Sequence, residues 1–437
     1  MSRKIGVGLV GTGNIAYLHT LGYHDCPEAE IVALCDLNQK RAESFREETG
    51  LPGTVEIYDE IGKLCSDNKV DLVEILTPHA SHEVLAVAAA EAGKHVSVQK
   101  PPAMTLSSYD RMVKAARKAG VRFRVFENFR YHPPYARAFE LVRDGTIGHV
   151  ESVNIRMFET FKCAGDYRGS KLRFPLHTLM WKTKESQNYK APTLFDDGYH
   201  KHSIVQGFLG DVPGNEEQVT AVRAWCGWQK IAKMVKIDSP AVVIYETAKR
   251  NRYGTWNVNM VENLPMHSNY FTCDESLEIT GSDGIIIAPG CTGNLFVGCE
   301  CGGPGKPGVY WFSREKGKHD PPFPGAGSWK ADTSMPTDWS QSFIECTRHL
   351  AAVLARDEWF DEHDPRPIPA DRGRQILKIN IAVIQSLRTD GAKSSLAAIK
   401  DGPGIDENPE DSKDLNPASE EGDFIDEDDM DRGINKE

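Results

Sequence analysis

A short N-terminal pattern restricts the fold of this chain more than any other feature. The apolar run IGVGLV at residues 5–10 leads directly into GTGNIA at residues 11–16, and helix-compatible residues follow. Gly11 allows a tight turn, Gly13 lets the backbone approach a bound group, and Ala16 is small enough for a helix to pack closely on a strand. This order of strand, glycine turn and helix predicts an α/β sheet that binds a pyrophosphate at the helix start.

A second strand follows and ends in a carboxylate. EIVALCD ends at Asp36, 20 residues after Ala16, which is where a dinucleotide-binding fold places the acid that binds the ribose hydroxyls. A carboxylate there repels a 2′-phosphate, so the sequence predicts NAD rather than NADP, although Lys40 and Arg41 nearby weaken that discrimination. The residues expected to contact NAD in this part of the chain are Gly11, Thr12, Gly13, Asn14, Ile15 and Asp36.

Strands and helices then alternate along the chain. Residues 71–76, 95–99 and 121–126 are typical of buried strands, and residues 82–93 and 106–119 of the helices between them. Single helices between strands predict a doubly wound parallel sheet, whose ligands bind beyond the carboxyl ends of the strands. Residues that follow two of these strands are therefore expected to contact the cofactor: Thr77, Pro78, His79, His82, Gln99 and Lys100.

Lys100 is the most informative of these residues. It follows a buried strand and precedes Pro101 and Pro102, so its side chain is held where the nicotinamide of the cofactor should lie. Most lysines are solvated surface residues. The strand end and the two prolines favour a role in the site instead.

The segment LFDDGYHKHS carries two carboxylates and two imidazoles and is compatible with a metal site, an acid–base pair or a helix start. Asp196 and His200 are four residues apart and share one face of a helix. His200 and His202 are two apart and cannot easily chelate one ion, so we expect no bound metal. Asp197 fits a helix N-cap, and His202 fits a supporting residue or a substrate contact.

Taken together, these motifs resemble the glucose-fructose oxidoreductase/inositol dehydrogenase/rhizopine catabolism (Gfo/Idh/MocA) family. GTGNIA, then T-P-H-x-x-H, then K-P, then ENFRYHPPYARAFELVRDGTIGHV occur in the family's order. The resemblance implies an α/β Rossmann domain (doubly wound parallel sheet) followed by an α+β domain with a large, mostly antiparallel open sheet. We therefore divide the chain into an NAD-binding Rossmann domain at 1–126, a C-terminal α+β substrate and oligomerisation domain at 127–400, and an acidic tail at 401–437.

The resemblance also assigns catalytic roles. In this family a lysine of a Glu-Lys-Pro motif acts with an aspartate and a histidine four residues apart, which correspond here to Lys100, Asp196 and His200. His200 would take the hydroxyl proton, Asp196 would orient its ring, and Lys100 would polarise the substrate oxygen. Gln99 replaces the family's glutamate, which leaves open whether Lys100 or His200 is the principal base. The other residues expected to contact the substrate are Arg130, Tyr131, Trp181, Lys182 and His202.

The implied function is an NAD-dependent oxidoreductase that transfers a hydride between NAD and a secondary hydroxyl of a sugar, glycoside or cyclitol. Two alternatives stay open. An NAD-dependent glycosidase that works through transient oxidation at C3 would use the same motifs. A non-catalytic dinucleotide-binding sensor could dispense with Lys100 and His200, so their presence argues against it. The resemblance further implies a homodimer or homotetramer that pairs through the open face of the C-terminal sheet.

The net charge of -12 belongs entirely to the C-terminal end of the chain. Residues 401–437 contain 15 acids and 3 bases, whereas the first 400 residues contain 48 of each. Such a polar, self-repelling tail is typically disordered or loosely packed.

No basic surface indicates nucleic-acid binding, and no apolar run approaches the roughly 18 to 20 residues of a membrane span. With ten scattered cysteines, we expect a reduced cytoplasmic protein without a membrane partner.

Overall fold

Two large β-sheets carry the fold. The computed structural model describes residues 4–159, 189, 191–231, 235–261, 273–288, 308–314 and 329–402. Both sheets belong to one compact unit, Met1–Pro403, and Gly404–Glu437 form a second unit that lies outside the described residues. The predicted acidic tail therefore stays a prediction, apart from Asp401 and Gly402.

The strands are, in chain order, β1 (Ile5–Val10), β2 (Ala29–Cys35), β3 (Glu56–Tyr58), β4 (Leu72–Ile75), β5 (His95–Gln99), β6 (Phe123–Phe126), β7 (Val150–Glu159), β8 (Val219–Cys226), β9 (Gln229–Ile231), β10 (Val235–Ile237), β11 (Ala241–Thr247), β12 (Tyr253–Met260), β13 (Cys273–Gly281), β14 (Gly284–Ala288), β15 (Val309–Ser313), β16 (Lys330–Asp332), β17 (Ile368–Pro369) and β18 (Ser394–Ser395). The α-helices are α1 (Asn14–Tyr23), α2 (Gln39–Glu48), α3 (Ile61–Ser66), α4 (His82–Glu91), α5 (Leu106–Ala119), α6 (Pro133–Arg143), α7 (Gly198–Gln206), α8 (Ser340–Ala355) and α9 (Ala370–Arg388).

The first sheet is parallel except at one edge. Its seven strands lie in the order β17-β6-β5-β4-β1-β2-β3, and β1 to β6 all run in the same direction. All four residues of β4 are buried, because helices cover both faces of such a sheet. The doubly wound sheet predicted from the alternating pattern is therefore confirmed.

The second sheet is larger and mostly antiparallel. Its nine strands lie in the order β16-β15-β14-β13-β7-β12-β11-β8-β18, with β7 and β12 as a parallel pair. β13 and β14 form a hairpin whose last paired residues are Gly281 and Gly284. α9 packs against β8 on one face, while Trp225, Ile244 and Tyr253 are exposed. The predicted open sheet of an α+β region is thus present, and the pairing of subunits through it stays a prediction.

Local signals set the helix boundaries well where they are strong. α5 begins after Thr105, whose side chain accepts a hydrogen bond from the Ser108 backbone, and ends at Gly120, which has a left-handed φ of 68°. These are the bounds that the sequence predicted. β17 was not predicted, because its two residues pair antiparallel with β6 from a distant part of the chain. The domain boundary at 126/127 stays a prediction.

One feature of the described part bears on membranes. None of its helices combines the length and the apolar character that crossing a bilayer requires.

Three buried histidines couple stability to pH. Burial lowers the pKa of His82, His132 and His202 to about 3, whereas an unfolded chain protonates histidine near pH 6.5. The unfolded state therefore binds more protons between these values. The stabilisation is complete above about pH 6.5 and is lost as the pH falls towards 3, at up to about 1.4 kcal/mol per pH unit for each histidine.

The substitution His132→Phe tests this dependence. The His132 ring is stacked on Trp339 at a centroid distance of 4.1 Å, and neither ring nitrogen has a hydrogen-bond partner among the described residues. Phenylalanine should fill the same space and cannot titrate. We expect the loss of unfolding free energy between about pH 6 and pH 4 to become shallower by about 1.4 kcal/mol per pH unit, measured by urea denaturation. His363→Gln, at a histidine whose side chain is 72% exposed, is the matched control. Identical pH slopes for His132→Phe and the wild type would contradict the prediction.

Candidate active site

Four loops lie side by side beyond the carboxyl ends of the parallel strands. They follow β1, β4, β5 and β6. Adjacent parallel strands end at the same edge of a sheet, so the residues that the sequence singled out after different strands come into one region. The site is built on this edge.

The turn after β1 leaves room at the start of α1. Gly11 has a φ of +93°, a conformation that residues with a Cβ avoid. A Cβ built on Gly13 would meet no described atom within 4 Å. α1 begins at Asn14 with no side-chain cap and no acidic residue in its first turn, so its backbone N–H groups favour an anion. These features fit the predicted pyrophosphate position of NAD.

The carboxylate of Asp36 is already well hydrogen-bonded. It accepts from the Thr12 backbone N–H at 2.9 Å, the Thr12 hydroxyl at 2.7 Å and the Asn38 backbone N–H at 2.8 Å. Arg41 donates to both of its oxygens, from Nε at 3.1 Å and from Nη2 at 2.6 Å. Burial alone would raise the pKa of Asp36, but these hydrogen bonds lower it. The Thr12 hydroxyl therefore orients Asp36. A ribose diol that binds Asp36 must displace Arg41.

His82 connects two of the loops. Its Nε2 lies 2.8 Å from the Thr77 carbonyl oxygen and its Nδ1 lies 3.2 Å from the Pro102 carbonyl oxygen. The residue is fully buried. His82 thus holds the loop after β4 against the loop after β5, and its predicted cofactor contact stays a prediction.

Gln99 has a similar supporting position. Its Oε1 accepts from the Lys100 backbone N–H at 2.7 Å, and its Nε2 lies 2.9 Å from His19 Nε2. His19 Nδ1 in turn lies 3.1 Å from Glu74 Oε2. Gln99 is 7% exposed. It therefore anchors the backbone of Lys100 to α1 and β4, and its contact with NAD stays a prediction.

Lys100 converges with His79 on Asp196. Lys100 Nζ lies 3.1 Å from the Asp196 carbonyl oxygen and 3.3 Å from Oδ1, and His79 Nε2 lies 3.4 Å from the same Oδ1. The Asp196 side chain is 4% exposed and that of Lys100 is 13% exposed. Asp196 belongs to a π-helical turn (Pro192–Asp197) that precedes α7, and its carboxylate is directed at Lys100.

His200 pairs with a different carboxylate. Its Nδ1 lies 2.8 Å from Glu127 Oε1 and 2.9 Å from Oε2, and its ring is stacked on Phe129 at a centroid distance of 3.8 Å. Burial raises the pKa of Glu127 to about 7. The carboxylate at Nδ1 of His200 is thus that of Glu127, and the orienting role of Asp196 stays a prediction.

Buried polar groups hold the start of α7 in place. Asp238 accepts from the backbone N–H groups of Thr193 and Leu194 at 2.9 and 2.6 Å. Asn380 of α9 donates to the Phe195 carbonyl oxygen at 3.0 Å. These contacts fix the turn that carries Asp196 towards the first sheet.

Several predicted site residues have structural partners. Arg130 is fully buried, and its guanidinium donates to the Ser203 hydroxyl at 2.8 Å and to Asp211 at 2.7 Å. The Tyr131 hydroxyl lies 2.7 Å from His349 Nδ1, and the residue is 2% exposed. The polar groups of Arg130 and Tyr131 are thus bonded to other protein residues, and their predicted substrate contacts stay predictions.

His202 and Asp197 also contact other protein residues. His202 is fully buried, and its Nδ1 lies 2.8 Å from the Tyr245 hydroxyl, which agrees with a supporting role, while its substrate contact stays a prediction. Asp197 makes no capping hydrogen bond, and its Oδ2 lies 3.5 Å from Lys201 Nζ. Trp181 and Lys182, the remaining predicted substrate contacts, lie outside the described residues.

Sequence reasoning missed Glu127 and Asp238. Glu127 directly follows β6 at the same sheet edge as Lys100, so the rule that selected residues after strand ends could have found it. Asp238 follows a short strand in the second half of the chain, and no sequence signal relates it to the backbone of Thr193.

A metal centre is a separate question. Within the described ranges, no group of three or more His, Cys, Asp or Glu side chains has an arrangement that could hold a metal ion.

Comparisons with known proteins agree with the fold. Residues 5–127 match the model of a family described as an oxidoreductase family with an NAD-binding Rossmann fold. The chain is 36% identical to D-apiose dehydrogenase of Paraburkholderia graminis over 33% of its length, and 32% identical to glycosyl hydrolase family 109 protein 2 of Phocaeicola vulgatus over 33%. It spans only 38% and 37% of those two proteins. A solved structure of levoglucosan dehydrogenase with NADH and levoglucosan has a TM-score of 0.67 at 17% identity, covering 90% of this chain and 100% of that one. These matches confirm the predicted NAD-binding Rossmann fold.

The role of Asp36 can be tested by nucleotide binding. Asp36→Asn keeps the side-chain shape but loses the charge and one acceptor for the ribose hydroxyls. We expect NAD affinity to fall roughly 10-fold or more, because a charge-assisted hydrogen bond contributes about 1.5–3 kcal/mol, measured by isothermal titration calorimetry. Arg41→Ala leaves the carboxylate in place and should bind NAD at least as tightly as the wild type. Unchanged NAD affinity in Asp36→Asn would show that Asp36 does not hold the ribose.

Proposed function

We propose that the chain is a member of the Gfo/Idh/MocA oxidoreductase family and an NAD-dependent dehydrogenase acting on a secondary hydroxyl of a sugar or cyclitol. The match of residues 5–127 to the family model supports this proposal. One observation carries this proposal. A lysine and a histidine, each paired with a buried carboxylate, lie at the carboxyl edge of the NAD-binding sheet: Lys100 with Asp196 at 3.3 Å, and His200 with Glu127 at 2.8 Å. Alcohol oxidation needs such a polarising donor and such a base.

The two pairs have different roles in the proposed reaction. Bound NAD supplies the hydride acceptor. His200 takes the hydroxyl proton through Nε2, since Nδ1 donates to Glu127. The Lys100 ammonium donates a hydrogen bond to the substrate oxygen, and Asp196 keeps the ammonium aligned. In the reverse direction His200 returns the proton to the newly formed alkoxide.

Relatives support the substrate class. D-apiose dehydrogenase and levoglucosan dehydrogenase are named for sugar substrates, and this chain is similar to the first over 33% of its length and to the second in fold. A small polyhydroxylated substrate suits a site with cationic and imidazole donors. We further propose that the protein works in the cytoplasm as a homo-oligomer. The exposed apolar side chains Trp225 and Ile244 on the open sheet face support that assembly.

Two substitutions test the proposed chemistry. Lys100→Met and His200→Ala should each lower kcat for sugar or cyclitol oxidation by roughly 100-fold or more, because each removes a group that handles the hydroxyl oxygen or its proton. Activity is measured as NADH absorbance over a panel of sugars, glycosides and inositols. NAD binding, followed by calorimetry, should persist in His200→Ala.

Matched controls exist for both positions. Lys63→Met and His363→Ala change side chains that are 52% and 72% exposed, and both should keep wild-type turnover. Retained NAD reduction in the Lys100 and His200 variants would refute the assignment.

The similarity to a glycosyl hydrolase family 109 protein favours one alternative, an NAD-dependent glycosidase. Aryl glycosides distinguish the two functions, because a glycosidase releases the phenol without net NADH, whereas a dehydrogenase forms NADH in proportion to oxidised sugar. We expect NADH formation from free sugars or cyclitols. Phenol release with no accumulated NADH would establish the glycosidase instead.

A further inference from the structure

We propose that Glu127 is a positioning residue that fixes the ring and the tautomer of His200, and that the Glu127–His200 pair handles the substrate proton as a unit. This inference rests on the dehydrogenase reaction proposed above. It gives Glu127 the orienting role that the family resemblance implied for Asp196.

The ring of His200 is held in two directions. Both carboxylate oxygens of Glu127 lie within 2.9 Å of Nδ1, which fixes the ring edge. Phe129 stacks on the ring face with an interplanar angle of 16°. Glu127 is itself held, since its Oε1 accepts from the Phe129 backbone N–H at 2.8 Å. One short segment after β6 thus supplies both the edge contact and the face contact.

The same contact selects the tautomer. When Glu127 is ionised it can only accept hydrogen bonds, so Nδ1 of His200 then carries a proton and Nε2 carries the lone pair. During oxidation the substrate O–H bond breaks, an Nε2–H bond forms, and the carbinol C–H electron pair leaves as hydride to the nicotinamide. The imidazolium that results keeps its Nδ1–H hydrogen bond to Glu127.

The surroundings of Glu127 favour proton exchange near neutral pH. Burial raises its pKa to about 7, while nearby cations act in the opposite direction. The charged and titratable groups that face it are His200, Lys100, Arg130, Lys201, Tyr199 and Cys346. With the residue 1% exposed and His200 1% exposed, water does not screen the pair, so a charge on one partner strongly affects the other.

The two carboxylates of the site therefore have separate tasks. Asp196 Oδ1 accepts from Lys100 and lies 3.4 Å from His79. Glu127 contacts His200. This separation makes the assignment testable, because removing either negative charge should affect a different partner.

Three variants test the proposal: Glu127→Gln, Glu127→Asp and Asp196→Asn. In Glu127→Gln the amide oxygen is needed by the Phe129 N–H, so the NH2 group takes the place of Oε2, 2.9 Å from Nδ1. It then favours the tautomer with the proton on Nε2, which cannot accept the hydroxyl proton. Glu127→Asp keeps the charge. Asp196→Asn removes the other carboxylate.

Two readouts are compared in the full-length protein with NAD bound. The first is the pH dependence of kcat, and the second is the titration and tautomer of His200 in 15N-histidine-labelled protein, assigned by comparison with His200→Ala. For Glu127→Gln we expect kcat to fall roughly 100-fold or more. The acidic limb of kcat and the His200 titration midpoint should both move to lower pH by about 1 unit or more, because a neighbouring negative charge is lost. Glu127→Asp and Asp196→Asn should leave the His200 midpoint near its wild-type value.

The spectra keep the inference separate from the proposed function. If the wild type oxidises no sugar or cyclitol, the dehydrogenase proposal fails, while the His200 titration still reports on the pair. An unchanged His200 midpoint and tautomer in Glu127→Gln would overturn the inference. A midpoint that moved in Asp196→Asn instead would return the orienting role to Asp196.

Discussion

The common direction of β1 to β6 is the constraint on which the site depends. Because these strands are parallel, the segments that follow them lie at one edge of the sheet. That edge receives the glycine turn, Lys100 and Glu127, which are far apart in sequence. The second half of the chain then needs to deliver only one segment, the turn and helix that carry Asp196 and His200.

Burial of its charged groups fixes the position of that segment. A charge removed from water is costly unless it is paired and hydrogen-bonded. Asp196 meets Lys100, Glu127 meets His200, and Asp238 accepts two backbone N–H groups at the start of the turn. Moving α7 away from the sheet would separate these buried groups from their partners. The pairs therefore specify the position of α7 relative to the sheet as well as serving the proposed chemistry.

A chain of buried polar contacts also holds the Lys100 loop in place. Gln99 connects the Lys100 backbone to His19, and His19 connects to Glu74 within the central strand β4. Glu74 is fully buried, and Arg124 lies 3.5 Å from it. Burial alone would raise the pKa of Glu74, but His19 and Arg124 lower it. A charged network thus underlies the loop that carries the lysine, and Gln99 connects Lys100 to it.

The sequence by itself determined the parallel sheet, its order of strands and helices and the NAD-binding turn, whereas the grouping of Lys100, Asp196 and His200 came from the family resemblance and stays a prediction. The sheet and the turn rest on local signals: apolar runs, glycine conformations, helix caps and residues at strand ends. Only the tertiary structure showed which carboxylate contacts which side chain. It also showed that buried Arg130 and Tyr131 bind other protein residues and that Arg41 binds Asp36. The physical reason is that hydrogen bonds between distant residues depend on how elements pack and where a π-helical turn interrupts regular spacing. Sequence periodicity contains no information about either.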